Sequence, residues 1–288
     1  MAFLPQVIVD GLVLAGGYIL IAAGLALLFG VADYVNVAQG EFAMLGMYGA
    51  FFAWAYVGMD PFVSVALTAP VMFLIGLLFY RTMVRPVRSR GHGTHIIMTL
   101  GLAFVLQNVA LLLWTANVRS ISTGYSRTTV ELGPASISLA KLLAVVLAIA
   151  IMLGLTLFLS KTLTGKAIRA VSQDESLAAA FGVRVDKMLA LTSGIALALA
   201  GAAGSIMMSY LTTFPTIGSR FILFAFAIVI IGGLGSLKGA LVAGLVVGLI
   251  EAVGQVYVGG LAGRIAVFSL IIAFLYIRPA GLFGKVVL

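Results

Sequence analysis

The chain has 288 residues, 62% of them apolar and only 9% charged, with a mean hydropathy of +1.21. Soluble domains run at about 45–50% apolar and about 25% charged, so this chain lacks the polar surface to cover itself in water. A bilayer removes that problem, because lipid tails solvate apolar side chains directly. The formal net charge of +8 fits the same frame, since Lys and Arg hold cytoplasmic loops at an anionic membrane face. No basic stripe interleaved with exposed aromatics points to nucleic acid. The 34 Gly suit transmembrane helices, and the absence of cysteine excludes disulfides and thiolate metal sites.

A membrane span takes about 20 mostly apolar residues. In chain order the candidates are Val7–Phe29, Val37–Val57, Phe62–Tyr80, Ile96–Ala116, Leu139–Ser160, Met188–Tyr210, Phe221–Leu234, Gly239–Tyr257 and Ile265–Ile277. The first lacks a basic n-region before a long apolar run and reads as a true span, not a processed signal. The second opens on polar Asn36, Gln39 and Glu41, so a broken or re-entrant segment is expected there, and the seventh is short. The expectation is an all-α, polytopic helix bundle of eight or nine spans forming one membrane domain over residues 1–288. Asn117–Ser138, rich in Ser, Thr and Gly, reads as an irregular loop. The Gly-interrupted segments in both halves are compatible with an internal repeat.

Placing Arg81–His95 inside puts twelve of the 17 Lys and Arg on the inner side. The five on the outer side are Arg119, Arg127, Lys141, Arg220 and Arg264. This bias sets the orientation and puts the C-terminus inside and, with nine spans, the N-terminus outside. Small residues mark close helix contacts: Ala240, Gly244, Gly248 and Ala252 recur every four residues, as do Gly194, Ala198 and Ala202.

Enzyme signatures are missing. There is no G-x-S-x-G, no H-E-x-x-H and no phosphate-cradling loop, and Gly165-Lys166 is followed by Ala167. His92 and His95, three apart in a basic loop without a carboxylate, read as solvated and not as a metal site. Polar groups inside spans are more telling. Gln107, Asn108, Glu251 and Glu41 sit in apolar segments, where a charge costs ~2.5–3.5 kcal/mol on insertion scales. Each either ties helices together by a buried hydrogen bond or lines a substrate path. Between Lys161 and Lys187 charges concentrate, and Lys166–Phe181 contains good helix formers ended by Gly182. A short helix lying on the cytoplasmic face is expected there.

The segment Gly165-Lys-Ala-Ile-Arg-Ala-Val-Ser-Gln-Asp-Glu-Ser-Leu-Ala-Ala-Ala-Phe-Gly-Val183 resembles the cytoplasmic coupling loop of ABC-transporter permeases of the branched-chain amino-acid class, the LivH type. Further resemblances follow in order. They are Asn36-Val-Ala-Gln-Gly-Glu41, Arg85-Pro-Val-Arg88, Thr99-Leu-Gly-Leu102 with Leu106-Gln-Asn108, and Leu199-Ala-Gly-Ala-Ala-Gly204. Gly232-Gly-Leu-Gly-Ser236 with Gly239-Ala240, and Arg278-Pro-Ala-Gly-Leu-Phe-Gly284, complete the set. Gln39 stands where the family's motif has His. Ser176 and Leu177 depart from the general permease E-A-A-x-x-x-G pattern, while Ala178 and Gly182 match it.

The resemblance implies a transport permease, not an enzyme, without a cofactor of its own. It implies a prokaryotic inner membrane, a second permease subunit, two cytoplasmic ABC ATPases that consume ATP, and an extracytoplasmic binding protein. Arg169, Asp174, Glu175, Ala178, Ala179 and Gly182 are the expected ATPase-coupling residues within a loop of about 161–187. Asn36, Gln39, Glu41, Gln107, Asn108 and Glu251 are the expected substrate path. The alternatives are a permease for urea, short amides or another amino acid, a secondary transporter, or a channel.

Overall fold

The computed structural model describes residues 4–132, 135–257, 259–278 and 281–283. The chain is helical nearly throughout. It begins with α1 (Leu4–Ala32), α2 (Gln39–Val57) and α3 (Pro61–Phe79), the last running through a π turn at Tyr80–Val84 into the single turn α4 (Arg85–Val87). Next come α5 (His92–Trp114), a two-stranded hairpin β1 (Thr129–Leu132) and β2 (Ala135–Ser138), and α6 (Leu139–Lys161). Two short helices, α7 (Leu163–Gln173) and α8 (Glu175–Ala180), lead to α9 (Val185–Met207), α10 (Ile217–Gly232), α11 (Leu237–Tyr257) and α12 (Gly260–Ile277).

Local chemistry sets the ends. Asp60 caps α3, accepting from Phe62 N at 2.8 Å with Pro61 in the first helical position, where its missing N–H costs nothing. Gly58, at φ 71°, ends α2 in the left-handed region that favours glycine.

Two helices form the interior. About four-fifths of the most apolar stretch is buried in α1 (78%) and α9 (83%), against 17–28% in α3, α5 and α6, which therefore turn most of their surface to lipid or to partners. α11 packs on α1 and α3 on α9, both antiparallel. Small residues permit it. A Cβ added at Gly248 would lie 2.7 Å from Ala15 Cβ, and one at Gly76 would lie 2.7 Å from Gly194 Cα. In lipid no hydrophobic force presses helices together, so such close backbone approach supplies the van der Waals attraction instead. α1 and α9 thus each receive one antiparallel partner, α11 and α3.

α2 and α10 differ from the rest. α1 ends at Ala32, and residues 33–38 run non-helically back into the protein before α2 starts. Gln39, the first residue of α2, donates from Nε2 to the carbonyl of Ala196 at 2.9 Å. Ala196 lies eleven residues into α9, about 16 Å from its start at 1.5 Å per residue. The start of α10 adjoins the start of α2, since a Cβ added at Gly40 would meet the Gly218 carbonyl and Ile222 N. Two helix N-termini therefore abut in the interior, each reached by non-helical chain. Such backbone is tolerated at membrane depth only where protein covers it.

Several expectations need correction. Asn117–Ser138 is not wholly irregular: it contains the hairpin, in register Thr129↔Ser138 to Leu132↔Ala135, and a turn at Gly124–Ser126. Alternation of Thr, Val, Ser and Ile over four residues is a strand signal too short to stand out in a polar loop. His95 is not solvated. It is buried within α5, its ring 5.8 Å from that of Tyr34, and its carbonyl accepts from Thr99 Oγ1. Arg220 is not an outer-loop charge, because it lies inside α10, half-buried. On α9 the close approaches are made by Gly194 and Gly201 to α3 and by Gly204 to α2, while Ala198 and Ala202 line a groove between α3, α6 and α9. Pro279, Ala280, Gly284, Lys285 and the C-terminal end lie outside the described residues.

Candidate functional site: a polar junction between two helix starts

The abutting helix starts gather polar side chains. The Gln107 amide on α5 donates from Nε2 to Glu41 Oε1 and to Ser219 Oγ, both at 2.7 Å. One side chain thereby bridges the first turn of α2 to the first turn of α10. Glu41 is 1% exposed, and its second oxygen, Oε2, has no hydrogen-bond partner among the described residues. That carboxylate lies against the backbone of Gly218 in the first turn of α10. Helix N-termini carry about half a positive elementary charge, so a carboxylate between two of them offsets their mutual repulsion. A Cβ at Gly218 would occupy the present place of the carboxylate and force Glu41 to move.

Below the junction Asn36 and Gln39 hold the non-helical chain. Asn36 Nδ2 donates to Gln39 Oε1 at 3.0 Å, and Asn36 Oδ1 accepts from Ala38 N at 3.1 Å. Thr99 on α5 accepts from Val37 N at 3.1 Å, satisfying a backbone group that would otherwise be orphaned. Glu251 forms a neighbouring cluster of its own. It is fully buried, and its Oε1 accepts from Arg220 Nη2 at 2.7 Å and from Gln255 Nε2 at 2.9 Å. The structure thus brings Asn36 and Gln39 together, joins Glu41 to Gln107, and sets Glu251 apart beside Arg220. Asn108 joins neither group. It is exposed on α5 and, among the described residues, donates only to the carbonyl of Phe104 in its own helix. Ser219 and Arg220 were missed from sequence, although both stand in the first turn of a short apolar helix, where a charge signals buried pairing.

The second functional region is the exposed segment Lys161–Lys187. Sequence reading expected one helix from Lys166 to Gly182; the structure has two, parted at Asp174. The Asp174 carboxylate accepts from Ser176 Oγ at 2.6 Å and from Leu177 N at 2.9 Å, and its backbone is extended at φ −157°. Such a side chain starts a new helix instead of continuing the old one. The Ser176 hydroxyl, followed by the Leu177 amide, holds the Asp174 carboxyl below the usual carboxylate range. At the far end Gly182 has φ 81°, Gly182 N donates to Ala179 O, and Val183 N donates to Ala178 O. This is the glycine cap that the sequence predicts.

Ion pairs tie the segment to the chain after α3. Arg88 pairs with Glu175, while Arg85 Nε lies 3.2 Å from Asp186 Oδ2 and Tyr80 donates to Asp186 Oδ1 at 2.8 Å. Among the described residues Arg169 reaches only the carbonyl of Ser160, at 3.4 Å. Ala178 is buried against its own protein, whereas Ala179 faces outward. The outward large apolar side chains are Leu163 at the start of α7 and, on and after α8, Leu177 and Phe181, the last 86% exposed. The signal of the last two in the sequence was large apolar residues four apart in an otherwise polar loop.

A bundle of apolar helices in which two helix starts face each other in the interior, the first meeting α9 about halfway along its length, with polar side chains gathered there, resembles the framework of a solute permease. The family described as branched-chain amino acid transport system / permease component matches residues 7–277, and the chain belongs to that family. Among curated relatives, the high-affinity branched-chain amino acid transport system permease protein BraD of Pseudomonas aeruginosa is 32% identical, covering 97% of this chain and 95% of its own length. The corresponding protein LivH of Escherichia coli is 30% identical over 98% and 96%. A probable branched-chain amino acid transport permease protein LivH of Methanocaldococcus jannaschii is 28% identical over 92% and 88%. No solved structure gives a significant match. The chain is a multi-pass transport permease, not an enzyme.

Proposed function

We propose that this chain is one permease subunit of an ABC importer for branched-chain or closely related aliphatic amino acids in a prokaryotic inner membrane. Two ATPases dock on the face bearing α7 and α8 and supply the energy from ATP. A second permease completes the membrane unit, and a binding protein delivers the substrate on the opposite, hairpin-bearing face. The relatives' names support the substrate class. The observation that carries the mechanism is the α7–α8 segment. It presents Leu177 and Phe181 outward and is tied by Arg88–Glu175 to the chain after α3, which Arg85–Asp186 ties in turn to the start of α9. A push on α8 is thereby delivered to two helices that pack on each other and on α2, which begins at the polar junction. Glu41, Gln107 and Ser219 at that junction are the switching point of the substrate path.

Phe181→Asp places a charge on the docking face, and Gly182→Val forces a β-branched residue into positive φ. Both leave the apolar helices untouched, so insertion persists while ATPase co-purification and uptake of branched-chain amino acids into vesicles fall together. Wild-type co-purification and uptake for both variants would remove the coupling role from this segment.

A further inference from the structure

We infer that the hairpin-bearing face of this subunit carries its own binding site for a zwitterionic aliphatic amino acid, formed by Asp10, Lys141, Tyr210 and Gln255; the inference rests on the proposed function for its ligand class. A cavity of about 290 Å³ lies between the first turns of α1, the end of α11 and the turn after α9. That volume is near the small end of ligand pockets, suited to a single small solute and not to a peptide. Its charged lining is one carboxylate and one ammonium, with Lys141 Nζ 2.6 Å from Asp10 Oδ1 and each side chain about one-third exposed. The remaining polar lining comes from Tyr210 and Gln255, and aliphatic side chains, among them Val13 and Leu211, form the rest of the wall.

This combination matches one class of solute. An amino acid brings an ammonium for Asp10 and a carboxylate for Lys141, exchanging one internal ion pair for two intermolecular ones, while its aliphatic side chain rests on Val13 and Leu211. A simple anion or cation satisfies one partner and leaves the other without its counter-ion, so it binds the same site more weakly than the amino acid does.

The floor of the cavity leads inward. Gln255 donates to Glu251 Oε1, and Glu251 is paired with Arg220 on α10. Tyr18, fully buried, stands beside this Glu251–Arg220 pair and adds its hydroxyl to the cluster. Arg220 follows Ser219, which Gln107 links to Glu41. Polar groups thus continue from the cavity to the junction of α2 and α10, so occupancy above can be felt at the helix starts below.

The test uses the complete transporter in nanodiscs without the binding protein, with tritiated L-leucine as probe. Isoamylamine, which lacks the carboxylate, and isovalerate, which lacks the ammonium, serve as competitors. Leucine should bind saturably to the wild type. Asp10→Asn and Lys141→Met should each weaken it roughly tenfold or more, the loss of one charge-assisted hydrogen bond. Asp10→Asn should also remove competition by isoamylamine and spare that by isovalerate, and Lys141→Met should do the reverse. A loss caused only by untying α6 from α1 would not sort the competitors by charge. If a single variant fails to assemble, Asp10→Asn/Lys141→Met leaves no charge unpaired and should show neither competition. Unchanged leucine binding and competition in the variants would overturn the site while wild-type uptake of leucine keeps the functional reading. Absence of any branched-chain amino-acid uptake by the wild type would overturn that reading and this ligand assignment together.

Discussion

The junction of α2 with α10 and the α7–α8 segment are both built on polar residues and glycine, yet they use them in opposite ways. At the junction, Gly40 and Gly218 let backbones touch, and Glu41 is buried where water cannot compensate it. On α7–α8, Gly182 faces open space, and every charged residue is at least partly solvated. The charged residues are therefore buried necessities in one place and adjustable surface in the other, while Gly182 is fixed by its positive φ and not by contact. Depth, not residue type, decides the cost of change.

The largest effect should come from filling the junction. Gly40→Val drives a side chain into the Gly218 carbonyl and Ile222 N, an overpacking cost of about 3 kcal/mol. Thermal unfolding of the purified complex should show it, whereas Gly93→Ala, at a position with nothing within 4 Å, should remain within about 0.5 kcal/mol of wild type. Equal losses for the two would erase the contrast.

Next in size is Gln107→Leu. It removes both bonds that bridge α2 to α10, costing about 0.6–2 kcal/mol between membrane helices, and uptake should fall in vesicles with normal protein content. Asn108→Leu, one residue on, should leave uptake near wild type because its amide bonds only its own helix. A reversed order of the two variants would move the path to the exposed face of α5.

Smaller again is Arg88→Ala. Its pair with Glu175 is between side chains 33% and 49% exposed, so solvent screening leaves at most about 0.5 kcal/mol in stability. Any loss of uptake beyond that should appear as ATP hydrolysis uncoupled from transport, measured in the same vesicles.

The smallest effect is a pH dependence confined to α8. Because the Asp174 carboxyl is held below its ordinary range, its cap stabilises α8 at pH values above that range and is lost as pH falls through the depressed value. Amide exchange in residues 175–180 should therefore stay protected through mildly acidic pH and rise only in strong acid. Asp174→Asn, which caps without titrating, should remove the dependence.

Much of this architecture was legible because lipid makes a simple demand: long apolar runs must be helices. The break before α2 was visible too, since Asn36, Gln39 and Glu41 have no business at the start of a lipid-exposed span. The matching break before α10 was not, because its polar members, Ser219 and Arg220, looked like the edge of a loop. Only their partners, Gln107 and Glu251, 112 and 31 residues away, show them to be interior. Likewise the helix-forming alanines of 178–180 could not reveal which faced inward, since the split at Asp174 rotates α8 relative to α7. Pairings between distant helices are carried by shape, and single-chain periodicity does not record shape.

The central position of α1 has a consequence for how the protein is made. Its main partners, α9, α10 and α11, are synthesised more than 150 residues later, so α1 must rest in the bilayer with only its lesser contacts, to α2 and α6, while the ribosome works through the middle of the chain. Its composition suits that wait: the hydropathy of its most apolar stretch is 2.4. α9, equally interior, reaches only 1.8 and carries Thr192, Ser193 and Ser205, but it emerges when α1, α2 and α3 are already in place to receive it. Two helices with the same final burial are thus composed differently according to their turn at the translocon.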